Sequence, residues 1–227
     1  MDTDPEPARI VLASKNQGKV RELQAMVAAA VPDLDAATAV VDARAAGLSD
    51  VVEDGVSFAG NALLKARAAA RESGLVALAD DSGLAVDVMG GAPGIFSARW
   101  SGRHGDDTAN LNLLLAQLGD VPDDHRSAQF VCAAAVVTPG GAEHVVLGEF
   151  PGMILREPVG EHGFGYDPIF APDGYDGLSC AQLSPEEKNR VSHRARAMNA
   201  VLPHLVAALE EQDDPAGDDR PRPGSGD

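Results

Sequence analysis

Two carboxylates, Asp80 and Asp81, stand side by side between the apolar runs Leu75-Val76-Ala77-Leu78-Ala79 and Leu84-Ala85-Val86-Asp87-Val88. The pattern predicts strand, acidic turn and strand, with Ser82-Gly83 turning the chain. Successive side chains of an extended segment point to opposite faces. Only one of the two acids can therefore aim into a given cleft, as the working acid, while the other supports it from a different surface. With 35 acidic residues in 227, an adjacent pair also fits an ordinary solvated turn, so its meaning depends on what the rest of the chain sets beside it.

Before the pair, Arg9 to Ala13 predicts a buried strand. Val20, Leu23, Val27 and Ala30, three and four apart, predict the apolar face of a helix. Between them Ser14-Lys15-Asn16-Gln17-Gly18-Lys19 makes a tight polar loop at a helix N-terminus, where free backbone N–H groups and the helix dipole attract anions such as phosphate. The spacing is not that of a Walker loop, and a surface turn with two solvated lysines fits the same residues. Ala43 to Val56 reads as irregular; within it Glu53 is available either as a metal ligand or as a solvated loop acid. Ser57 predicts the N-cap of a helix reaching about Glu72, on which Asn61 and Lys65, four apart, share one face. Gly60 sits where a capping box has Glu or Gln.

After the pair, the glycine-rich stretch Gly90 to Gly102 predicts a shaped loop, packed on the body or forming a subunit contact. Asp106 to Leu118 predicts a helix whose stripe Leu111, Leu114, Leu115 and Leu118 is core. Ala128 to Thr138 and His144 to Leu155, joined by Pro139-Gly140-Gly141, predict a hairpin. In Gly160 to Pro168 the glycines let backbone approach a ligand, and Phe164 and Tyr166 either offer flat faces for a base or plug the core beside a turn. Ser184-Pro185-Glu186-Glu187 is a strong helix start. On one unbroken helix His193 and Arg194 lie about 140° and about 240° around from Lys188, so the three converge only if the helix breaks near Ser192. The spacing of Met198, Leu202, Leu205 and Leu209 permits either version.

The length suits one large domain or two lobes around a shared cleft. A net charge of -17 argues against nucleic acid or an anionic membrane as the main partner, yet leaves room for a nucleotide held by local basic groups or a divalent cation. Cys132 and Cys180 show no spacing for zinc or a disulfide framework, which fits a reducing compartment. The acidic start lacks the marks of a signal peptide, and no window reaches the roughly 18 apolar residues of a membrane span, so the cytoplasm is the expected compartment.

Taken together, Ser14 to Lys19, Ser57-Phe58 with Asn61-Ala62 and Lys65-Ala66, Ala79 to Leu84, Gly90 to Gly94 with Ser97-Ala98-Arg99, Gly163 to Pro168, and Ser192-His193-Arg194 resemble the inosine triphosphate pyrophosphatase family in order and approximate spacing. The resemblance covers roughly residues 9–209. It implies an α/β fold, with two lobes around an elongated mixed β-sheet and flanking helices, forming a homodimer. It implies hydrolysis of dITP, ITP or XTP to the monophosphate and pyrophosphate, with Mg2+ as cofactor. Asp81 would be the proton acceptor and a metal ligand, and Glu53 a further ligand. Ser14, Lys15, Asn16, Gln17, Gly18, Lys19, Lys65, Ser82 and Lys188 would hold phosphate and sugar; Phe164, Gly165, Tyr166, Asp167, His193 and Arg194 would hold the base. Residues 9–209 would be a single catalytic domain with a central cleft, between disordered ends at 1–8 and 210–227. Ser14 departs from the threonine of many relatives, and Gly60 stands where an acid is common.

The implied chemistry is coherent with the residues. Mg2+ takes one or two carboxylates plus waters and substrate phosphates, and a bound metal keeps a carboxylate base ionised at neutral pH. Arg194 offers only donors, which suit the six-oxo group of hypoxanthine or xanthine and not the amino group of adenine. Two other readings remain open: a pyrophosphatase of similar fold for modified pyrimidine or methylated nucleotides, and a nucleotide-sensing module without turnover.

Overall fold

The apolar run after Arg9 forms strand β1 (Ile10–Leu12), and helix α1 (Gln17–Ala30) follows with Val20, Leu23 and Val27 inward and Ala30 exposed. The computed structural model describes residues 7–213. A single helical turn, α2 (Ala36–Ala39), leads into β2 (Val40–Asp42), which pairs parallel with β1. Helix α3 (Phe58–Ser73) starts at Ser57, whose hydroxyl accepts from the Gly60 amide, and stops at Gly74, whose φ of 70° is free of a Cβ penalty only in glycine.

At the acid pair the chain departs from expectation. Val76–Val86 is one unbroken strand, β3, paired antiparallel with β4 (Ser127–Val137) from Ala77 to Val86, and no turn occurs at Ser82-Gly83. Gly83 serves a close approach instead: a Cβ there would lie 2.5 Å from Ser97 Oγ and 2.6 Å from the Gly94 carbonyl oxygen. The glycine-rich loop therefore packs directly on β3. Helix α4 (Asp107–Gln117) is capped by Asp106 and buries Leu111 and Leu114, with Leu118 just beyond; Leu115 is partly buried. The predicted hairpin is present as β4 and β5 (Glu143–Ile154). Then come β6 (Phe170–Pro172), α5 (Pro185–Val191) and α6 (His193–Asp213).

The six strands form one sheet in the order β2-β1-β3-β4-β5-β6, with β1 parallel to β2 and β3 and the remaining pairs antiparallel. One face buries Leu78, Cys132 and Val136 beneath α1 and α6. The other buries Ala77, Ala79 and Ala133 beneath the alanines of α3, whose small side chains allow close packing. At the far end of the long strands a third cluster joins Leu84, Phe130 and Ile154 to α4 and to Ile169 and Phe170. The two-lobed α/β architecture with a mixed sheet is as the resemblance implied.

Glu210 to Asp213 belong to α6 and not to a tail, because Arg9 bonds the Leu209 carbonyl at 3.0 Å and Asp213 at 2.7 Å and so fixes the last turn. The remainder of the predicted ends, residues 1–6 and 214–227, lies outside the described residues. Both cysteines are free and buried, and no described helix is long and apolar enough to cross a membrane.

Candidate functional site

Strand β1 ends at Leu12, opposite Leu78, so past that point β3 loses its neighbour on one side while β4 continues to cover the other. Asp80 and Asp81 follow immediately. Asp80 turns toward α1 and α6, 2.6 Å from Lys19 Nζ and 3.5 Å from Arg194 Nε. Asp81 turns toward α3, accepting from Asn61 Nδ2 at 3.0 Å, with Lys65 Nζ at 3.6 Å. The alternation expected of an extended segment therefore holds. Its corollary does not: both acids line one cleft of about 430 Å³, because side chains from either face reach around the uncovered edge of β3.

The two carboxyls titrate in opposite directions. Burial alone would raise Asp80, but the charges of Lys19 and Arg194 outweigh it and hold the group below the usual carboxylate range. Burial raises Asp81, Lys65 and Asn61 offset this in part, and the nearby charge of Glu53 adds to it.

Lys65 Nζ lies 3.3 Å from Glu53 Oε2 and 3.6 Å from Asp81 Oδ1, one cation between two carboxylates. Beside them Asn61 Oδ1 is buried without a hydrogen bond. Among the described residues no group of three or more His, Cys, Asp or Glu side chains is placed to hold an ion. This donor set fits a hard divalent cation shared with substrate phosphates and waters, and does not fit an all-protein cage.

The loop before α1 divides between two cavities. Asn16 and Lys19 line the cleft, whereas Ser14 and Lys15, with Glu53, line an adjoining pocket of about 230 Å³; Lys65 borders both. Gln17 and Gly18 line neither. The Gln17 amide bonds Asp42, and the Gly18 and Lys19 N–H groups donate to Asn16 Oδ1 at 2.8 and 3.3 Å. The helix N-terminus is thus partly capped by its own asparagine, and the lysines remain as its anion-attracting groups.

At the other end of the cleft the chain breaks at Ser192, with φ -62° and ψ 161°, and the Ser192 hydroxyl accepts from the Ala195 amide at 3.2 Å. That break brings Lys188, His193 and Arg194 to one cavity, as convergence requires. His193 stacks on Phe130 with ring centroids 4.9 Å apart, and its Nδ1 is buried without a partner. Burial, reinforced by the charge of Lys188, pushes its pKa down to about 3, so the ring is neutral. Arg194 Nη1 bonds Glu22, while Nε and Nη2 are buried with no hydrogen bond.

The two aromatics of the glycine loop separate cleanly. Phe164 is 77% exposed, with Lys188 Nζ 4.8 Å from its ring centroid, and presents a free face. Tyr166 is 4% exposed and donates its hydroxyl to the Ser97 carbonyl at 2.9 Å, so it is anchored in the core while still lining the cleft. Asp167 accepts from the Phe164 amide at 2.8 Å and pairs with Lys188. Gly165 donates to Asp107 at 2.8 Å, and Ser82 Oγ is buried without a partner.

Sequence reasoning missed Asp107, Asn110, Ser97 and Phe130, all of which line the cleft. Asp107 reads as an ordinary acid in the first turn of α4, and only the fold sets it against Gly165, 58 residues away.

The sequence matches the model of the Ham1 family over residues 10–204. It is 56% identical over 197 residues to a protein of Streptomyces avermitilis named dITP/XTP pyrophosphatase, a match covering 86% of this chain and 96% of that one. A crystal structure of a nucleoside-triphosphatase / dITP/XTP pyrophosphatase from Mycobacterium abscessus is similar with a TM-score of 0.72 and 50% identity, over 86% of this chain and 99% of that one. A HAM1 protein from Coxiella burnetii gives a TM-score of 0.79 and 38% identity, over 88% and 99%.

Proposed function

The chain belongs to the Ham1 family, and from that membership we propose that it hydrolyses the non-standard purine nucleoside triphosphates dITP, ITP and XTP to the monophosphate and pyrophosphate. The observation that carries this is one cleft with two unlike ends: Asp81, which shares the Lys65 cation with Glu53 of the adjoining pocket, and buried, unbonded donors at Arg194. The pyrimidine and sensor alternatives have no observation in their favour.

Asp81 acts as the proton acceptor for the attacking water; burial raises its pKa, and the cation it would share would hold it ionised at neutral pH. Mg2+ is the proposed ion, held by Glu53 and Asp81, where it would polarise a phosphoryl oxygen. Lys19 and Lys65 neutralise the charge gathering on the pyrophosphate, with Ser14, Lys15 and Asn16 beside them and Lys188 and Ser82 nearer the sugar. Phe164 stacks on the base. Arg194 donates to its six-oxo oxygen, and neutral His193 offers one donor and one acceptor to the ring edge. The proposed compartment is the cytoplasm, which the two free cysteines fit. The proposed assembly is a homodimer, for which the exposed Val88, just before the glycine-rich loop, and Phe96 within it supply apolar surface.

Product analysis tests the assignment. With magnesium, dITP and XTP should release pyrophosphate far faster than ATP, and chelation should stop the reaction. Asp81→Asn should lose about 10²- to 10⁴-fold in turnover while retaining dITP. Orthophosphate as the primary product would overturn the proposed site of attack.

A further inference from the structure

Each of the four lysines in the chain meets a carboxylate, and three of them close on it. Lys15 bonds Asp50, Lys188 bonds Asp167, and Lys19 reaches Asp80 at 2.6 Å. Lys65 stands off: its Nζ lies 3.6 Å from Asp81 Oδ1, beyond hydrogen-bonding distance, although both side chains are largely buried. Opposite charges in a partly desolvated cleft attract strongly, so something must hold this pair open.

Asn61, one turn before Lys65 on α3, grips the other oxygen of the same carboxylate, its Nδ2 donating to Asp81 Oδ2 at 3.0 Å. The far end of that amide gains nothing. Its Oδ1 is buried without a partner, packed where a Cβ on Gly55 would lie 2.5 Å away. A buried carbonyl left unbonded is costly, and an apolar side chain in so buried a place would carry no such cost. What the amide supplies is therefore its hold on Asp81. Glu53 holds Lys65 from the other side, 3.3 Å from Nζ.

We propose that Asn61 is a positioning residue for the reaction: by holding Oδ2 it keeps Asp81 from turning onto Lys65, and so leaves the carboxylate free to take the proton of the attacking water. The inference rests on Asp81 as the proton acceptor, as given above. Asn61 lines neither cavity and acts through Asp81.

The plain alternative is a staple between α3 and β3. Steady-state kinetics on dITP with magnesium are measured for the full chain, for Asn61→Leu, Asn61→Ala and Asp81→Asn, and for Asn61→Leu combined with Asp81→Asn; urea unfolding and a crystal structure are added for Asn61→Leu. Asn61→Leu should lose about 10²-fold in kcat, the size expected when a catalytic group is displaced. Its KM should stay within about threefold, because no side chain lining the cleft is removed. Its urea midpoint should equal or exceed that of the wild type, since the unbonded carbonyl leaves with the amide. Asn61→Ala, which fits without repacking, should show the same loss in kcat. In the Asp81→Asn background Asn61→Leu should have no further effect. In the crystal, Asp81 should close on Lys65 to hydrogen-bonding distance. Unchanged kcat in both variants, a rise in KM in place of the loss, an undiminished effect without Asp81, or a carboxylate that keeps its place would each overturn the proposal. If the wild type releases no pyrophosphate and the carboxylate still turns onto Lys65 in the variant, the catalytic assignment fails and the hold of Asn61 on Asp81 stands.

Discussion

Burial keeps His193 neutral between Phe130 and the cleft, and this has a sign that titration can read. The folded pKa of about 3 lies below the ~6.5 of an unfolded histidine, so as pH falls the unfolded chain takes up the proton first. Stability that is complete above about pH 6.5 is lost progressively toward pH 3, amounting to about 3 kcal/mol by pH 4. Urea midpoints between pH 7 and 4 should therefore fall more steeply for the wild type than for His193→Gln, most visibly above pH 5, before carboxylates titrate. Parallel slopes would show that the ring is already charged in the folded protein. At this scale the sequence was informative about residue types and poor about directions. It placed Phe164 and Tyr166 together and could not tell which faced out. It separated Asp80 from Asp81 by alternation, but not that the end of β1 lets both reach the same cleft. Gln17 looked like its loop neighbours, and only the fold sends its amide to Asp42.

The elements that were legible carry local signals, and those that were not depend on contacts between distant segments. Ser57 and Ser184 announce α3 and α5 by capping, whereas the break at Ser192 is legible only on the condition that Lys188, His193 and Arg194 converge, because the apolar spacing beyond it permits an unbroken helix as well. Ser82-Gly83 reads as a turn because a glycine that allows close approach looks, in sequence, like a glycine that allows reversal. Gly148 in β5 is the same case with a larger consequence, and nothing local marks it. A Cβ there would fall 2.2 Å from the His193 carbonyl oxygen and 2.4 Å from the Ala197 nitrogen, both backbone atoms of the first turns of α6. Gly148→Ala should thus lift the start of α6 from the sheet, costing about 2 kcal/mol or more by overpacking, and should weaken IMP because His193 and Arg194 ride on that turn. Denaturant unfolding and calorimetry read both. A stable variant with normal IMP affinity would mean that β5 bends away instead.

Across the whole molecule, all four lysines border the cleft or the pocket beside it, on a chain of net charge -17. Sparse lysines on an acidic body mark the anion site more clearly than the same lysines would on a basic one, although the net charge by itself only leaves room for a nucleotide. What composition could not settle is whether two lobes make one domain or two. Residues of β3, β4 and β5 lie in or against the core clusters of both lobes, so the lobes share the strands that their cores are built on. We propose that residues 9–209 unfold as one cooperative unit. Trp100, the only tryptophan, packs at the far end of the strands and donates to Gln117 on α4 at 2.8 Å, so its fluorescence reports that lobe alone. Far-UV circular dichroism instead weights the near lobe, where α1, α3 and α6 supply 14, 16 and 21 helical residues against 11 in α4. In urea the two signals should give coincident transitions, as two-state unfolding requires. A fluorescence transition at lower urea than the dichroism transition would show the far lobe opening first, with the cleft lost while the near core survives.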